Sequence, residues 1–173
     1  MARRRRAERF YACGALERFR AARSTRTLDR MKNALLVAST LAHDGDGVVR
    51  FVISASSEDF AASTETIGGA LTVQDLADAL RGFPTEIGSS VHFRFGGLGK
   101  CELNFLCLNR SGHTAVRIAI EAPDGALTAH EHERAEFFFR VEPTAIEAFA
   151  EALSKFTANA DNQAVLQGRP RYE

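Results

Sequence analysis

The densest run of chemistry-bearing side chains is His130-Glu131-His132-Glu133. On a strand, His130 and His132 point the same way, and a third ligand would complete a metal site. No third ligand is identifiable in the sequence, and the HExxH spacing of a zinc-binding helix is absent. The run therefore reads as a solvated loop feeding a strand at Ala135, with His130 and His132 kept as a metal alternative. Gly96-Gly97-Leu98-Gly99-Lys100 has the glycines of a phosphate loop but not its spacing. A Walker loop needs four residues between its outer glycines, then Lys-Ser/Thr, then a helix. Here Lys100 leads into Cys101-Glu102 and a strand pattern, so a hairpin turn is expected.

Nucleophilic chemistry has equally little to work with. There is no Gly-x-Ser-x-Gly elbow. Cys13, Cys101 and Cys107 are an odd number without metal-ligand spacing. Cys101 and Cys107 share parity with Leu103 and Phe105, which makes them small core hydrophobes of one strand face. The expectation is a protein that is not an enzyme and that uses no cofactor.

A different set of residues recurs on the polar parity of the strand-like segments: Arg50, Arg94, Glu102, Asn104, Arg117, Arg140 and Glu142. If helices cover one face of the sheet, these decorate the other. Such a face is either plain solvated surface or a surface for a protein partner.

The elements that carry these residues follow from period and punctuation. Residues 34–40 and 48–55 form a hairpin across His43-Asp44-Gly45-Asp46-Gly47, whose Asp-Gly pairs suit turn geometry. A short extended piece near 59–62 and a Ser/Thr/Gly-rich loop over 63–70 come next. Thr72 is placed to cap a helix with Asp75 three residues on; Val73, Leu76, Ala77, Leu80 and Phe83 give its apolar stripe, and Gly82 and Pro84 stop it. Four alternating segments then centre on Phe93, Leu103, Ile118 and Phe139, with turns between them. Short connections between them imply an antiparallel meander.

Pro143 opens a last helix over 143–157, with Ile146, Phe149, Ala150, Leu153 and Phe156 on its apolar side. Leu76-Ala77-x-x-Leu80 and Phe149-Ala150-x-x-Leu153 share a pattern, but the segments after them differ, so no repeat is expected. The fold class is α+β: an antiparallel sheet of about six strands with two helices on one face.

Length and charge bound the rest. The chain has 173 residues, with 22 basic and 22 acidic. That length suits one domain with a core of its own. No run of about 18 apolar residues exists, so no membrane-spanning helix is expected. No apolar run of a secretory signal follows the early charges, so a reducing cytoplasm is the default expectation. The zero net charge divides sharply. Residues 1–30 hold ten Arg against Glu8, Glu17 and Asp29, a balance of +7, so residues 31–173 carry −7.

Residues 1–30 read as a basic, loosely ordered arm, or as sequence upstream of a start at Met31. A nucleic-acid arm using Arg3 to Arg6 is the competing reading. The domain proper is expected over 31–157, and 158–173 as a frayed polar tail.

The spacing Asp75-Leu76-Ala77-Asp78-Ala79-Leu80, Val91-His92-Phe93, Leu103-x-Phe105, Gly112-His113-x-x-Val116 and Phe139-x-Val141-x-Pro143 resembles the WapI-type bacterial immunity proteins and related uncharacterised bacterial families. The resemblance covers residues 48–156 and implies a single α+β domain, often encoded beside a toxin. It transfers no functional residue. It implies a protein-binding function, and the acidic body would suit a basic toxin domain. The alternatives are a small-molecule-binding domain, with its ligand between sheet and helices, and nucleic-acid binding through the arginine-rich segment.

Overall fold

The structure is a computed structural model that describes residues 32–40, 48–121, 134–157 and 162–169. Among these residues the chain forms eight strands and two helices: β1 (Ala34–Thr40), β2 (Val48–Ser56), β3 (Ala61–Gly69), α1 (Ala70–Leu80), β4 (Ser90–Phe95), β5 (Lys100–Cys107), β6 (Thr114–Glu121), β7 (Arg134–Val141), α2 (Pro143–Ser154) and β8 (Asn162–Gln167). The class is α+β, as the sequence implies. The strands divide into two antiparallel sheets of four rather than one of about six. Sheet A has the order β3-β2-β1-β8 and sheet B the order β4-β5-β6-β7. The expected hairpin is β1–β2, and the expected meander is the whole of sheet B.

Two strands stand where the sequence suggests loop or tail, each for a physical reason. β3 turns polar Thr64 and Thr66 inward, which disguises its alternation. Both hydroxyls are satisfied across the gap between the sheets: Thr64 Oγ1 donates to the Glu121 carbonyl at 3.0 Å, and Thr66 Oγ1 donates to the Gly96 carbonyl. β8 lies in the expected tail. It buries only Ala164 and Leu166, and its pairing partner β1 lies more than a hundred residues away. Non-local pairing of this kind leaves almost no local trace.

The helix ends also differ. α1 starts at Ala70 with Gly69 as its N-cap, so Thr72 lies inside the helix and does not cap it. Gly82 adopts a left-handed φ of 75° just past the end of α1, as expected of a helix stop. α2 has Pro143 in its first turn and ends at Ser154.

The architecture repeats although the local sequence does not announce it. β1-β2-β3-α1-β4 is followed by β5-β6-β7-α2-β8, and the last strand of each unit pairs with the first strand of the other, β4 with β5 and β8 with β1. Val73, Leu76, Ala77, Leu80 and Phe83 correspond to Ile146, Phe149, Ala150, Leu153 and Phe156, each 73 residues later, and all ten are buried. The shared helix pattern is thus part of a structural duplication. The matching strands precede the helices as well as follow them, with exchanged partners.

Each helix carries the chain from one sheet to the other, and the two helices pack on one another. One core joins both sheets and both helices, with Phe51, Phe95, Phe105, Phe149 and Phe156 as its largest fully buried side chains. Phe95 meets Phe51 at 6.3 Å and Phe93 at 5.0 Å between ring centroids, within the range of favourable aromatic pairs.

The two sheets are stitched at both sides. On one, the Gly99 N–H donates to the Glu65 carbonyl at 2.8 Å. A Cβ at Gly99 would fall on the Thr64 hydroxyl and the Glu65 carbonyl, so only glycine admits this approach. The glycine turn is therefore a seam and not a phosphate loop. On the other side, Val141 bridges Gly168, and the Arg169 N–H donates to the Arg140 carbonyl at 2.8 Å.

Candidate partner face

Sheet B has a covered side and an open side. β5 shows this most clearly: Cys101, Leu103, Phe105 and Cys107 are buried, whereas Glu102, Asn104 and Leu106 are only half-buried. The register sets the open side in cross-strand rows. One row runs His92, Asn104, Arg117, Phe138 from β4 to β7. The next runs Arg94, Glu102, Ala119, Glu136, and the row on the other side ends at Arg140. Of the seven residues expected to form a partner face, Arg94, Glu102, Asn104, Arg117 and Arg140 come together here.

The other two lie elsewhere. Arg50 projects from sheet A, 3.7 Å from Glu65. Glu142 follows β7 and pairs with Arg169 beyond β8, so it ties the two sheets rather than joining the face. Alternation placed them on the right parity, but parity cannot say which of two sheets a strand joins. His130 and His132 lie outside the described residues, as does the 43–47 turn.

The acids of the face are all engaged. Arg94 Nη2 donates to Glu102 Oε1 at 2.5 Å. Arg117 Nη2 donates to Glu136 Oε2 at 2.7 Å, Arg134 Nη2 to Glu136 Oε1 at 2.7 Å, and Arg134 Nη1 to Glu121 Oε1 at 3.1 Å. Lys100 Nζ lies 3.7 Å from Glu121. The hydrogen bonds from Arg117 and then Arg134 hold the Glu136 carboxyl below its ordinary range. Exposed pairs of this kind add roughly 0–1 kcal/mol each, so the network orients side chains more than it stabilises the fold.

Three features of the face are left over from this pairing. Phe138 is 60 % exposed in the middle of the edge strand β7. Asn104 Oδ1 is withdrawn from solvent and has no hydrogen-bond partner among the described residues. Basic groups outnumber acids among the described residues, with Arg94, Lys100, Arg117, Arg134 and Arg140 against Glu102, Glu121 and Glu136. The parity of Phe138 with Arg140 was legible in the sequence. Its isolation from any covering element was not.

Among the described residues, the groups that could support covalent chemistry are placed apart. Burial, and to a lesser degree Glu102, push the Cys101 thiol up to about 12, which leaves no thiolate at neutral pH. Cys101 and Cys107 face the core, whereas His92 is on the open side and His113 sits in a turn with Asn109. Among the described residues no three His, Cys, Asp or Glu side chains come together as a metal site, and no helix is long and apolar enough to cross a membrane.

A scan against protein-family models finds no match for the chain, and searches of curated proteins and of solved structures find none.

Proposed function

We propose that the protein is a binding module for another protein, and that the open side of sheet B is its contact surface. The observation that carries this reading is Phe138, a large exposed ring set beside Arg117 and Arg140 on a regular sheet face. Aromatic and arginine side chains are the types that dominate binding energy at protein interfaces.

The resemblance to immunity proteins supports a toxin as the partner. Residues 31–173 sum to −7, which favours a basic toxin domain at long range. Within a Debye length of about 8 Å the local groups decide, and there Arg117 and Arg140 suit carboxylates or main-chain carbonyls. A small-molecule reading draws less support, because the space between sheets and helices is filled by Phe51, Phe95, Phe105 and Phe149. Survival of cells expressing a toxin from the chain's own gene neighbourhood, with and without this chain, is the test. The wild-type chain should protect, and a chain with Arg117→Glu and Phe138→Asp should not. Equal killing with and without the wild-type chain would remove the immunity reading.

A further inference from the structure

We propose that the outward edge of β7, over residues 134–138, takes up an extended segment of the protein partner as a fifth strand of sheet B. This rests on the reading of the open side of sheet B as a protein-binding surface, and it specifies how the partner is held. β7 is an edge strand. The hydrogen-bond ladder fixes which of its backbone groups face away from the sheet. The Cys107 N–H donates to the Ser89 carbonyl and the Leu108 N–H to the His113 carbonyl. Odd residues of β5 therefore bond to β4, and even residues bond to β6. Carried through the register, Val116, Ile118 and Ile120 of β6 bond to Phe139, Phe137 and Ala135 of β7. The N–H and C=O groups of Arg134, Glu136, Phe138 and Arg140 then point out of the edge. The Arg169 N–H reaches the Arg140 carbonyl from that side, which agrees with this parity.

The duplication supplies the comparison. Glu65 of β3 corresponds to Phe138, 73 residues later, and its outward carbonyl receives the Gly99 N–H at 2.8 Å. Among the described residues the Phe138 carbonyl receives no N–H from outside the sheet, and neither does that of Glu136. The seam with Gly168 and Arg169 closes the edge only at Arg140 and Val141. The backbone from Arg134 to Phe138 that is left spans about 16 Å.

The side chains on this edge name the occupant. Edges that must stay single carry charge at their centre. Here the centre is Phe138, 60 % exposed, and the charges flank it. Arg117 and Arg134 share the Glu136 carboxylate, and Arg140 is exposed without an ion pair among the described residues. An added strand sets one side chain over Phe138 and others beside the flanking arginines. It therefore presents an aromatic or β-branched residue next to a carboxylate. Its main chain supplies the hold, and its alternate side chains supply the choice of partner.

Amide exchange of the full chain, followed residue by residue by NMR, tests the proposal. In the free chain the Glu136 and Phe138 amides should exchange at least about a hundredfold faster than those of Phe137 and Phe139, which bond to β6. A basic toxin domain from the chain's own gene neighbourhood should slow both amides at least about tenfold. Glu136→Pro removes an outward N–H at an edge position that admits proline, and should bind that domain at least about tenfold more weakly than Glu136→Gln, which keeps the N–H. Should the proline variant fail to fold, judged by circular dichroism, the exchange of the unsubstituted chain decides alone. Slow exchange at Glu136 and Phe138 in the free chain would assign the edge to another segment of this chain and overturn the proposal. A domain that binds while both amides stay fast docks on the face alone, which overturns strand addition and leaves the binding reading standing. A domain that does not bind at all defeats both.

Discussion

Cys101 shows how burial disarms a reactive residue type. Its thiol stays protonated to about 12 in the folded chain against an ordinary value of 9.0. Below pH 9 both folded and unfolded chains hold the proton, so the residue adds no pH dependence there. Between about 9 and 12 only the unfolded chain releases it, so stability falls as pH rises through that window. Urea denaturation at a series of alkaline pH values should show a shallower fall for Cys101→Ala than for the wild type.

Glu136 works in the opposite direction. Its carboxyl is held low by Arg117 and Arg134, so its contribution is present above the ordinary carboxylate range and is lost as pH drops through the folded value. Glu136→Gln should therefore flatten the acid limb of the same measurement. Gly99 is the residue with least latitude. Gly99→Ala would drive a methyl into Thr64 and the Glu65 carbonyl and should cost about 1–3 kcal/mol, visible as a lower denaturation midpoint.

At the scale of elements, the parts with strong local signatures were legible in the sequence. The sheet B meander, the β1–β2 hairpin and the apolar stripes of both helices follow from period and turn residues alone. β3 and β8 did not, because their inward residues are polar or few. Thr64 and Thr66 have meaning only once the Glu121 and Gly96 carbonyls are placed opposite them. Ala164 and Leu166 have meaning only beside β1.

The helices carry the centre of the core in both halves of the duplication. Phe149→Ala should cost about 3–5 kcal/mol, the range for emptying a fully buried aromatic site, and thermal unfolding would read it directly. The candidate partner face was legible in part. Alternation found Arg94, Glu102, Asn104, Arg117 and Arg140, but it could not exclude Arg50 and Glu142, since it carries no information about which sheet a strand joins.

At the scale of the whole molecule, two units of similar build present different outer faces. Sheet A's buries Leu36 and Ser54 at its centre and carries the Arg50–Glu65 pair, whereas sheet B's carries a longer run of charged residues and an exposed Phe138. A duplicated fold has no architectural need for that difference.

The most direct measurement is the affinity of the purified chain for a basic toxin domain of the kind proposed as its partner, taken by calorimetry for the wild type, Phe138→Ala and Arg50→Ala. The account predicts at least about thirtyfold weaker binding for Phe138→Ala, the size of an interface hot spot, and no change for Arg50→Ala on the other sheet. Binding by Phe138→Ala as tight as that of the wild type would contradict the assignment of this face.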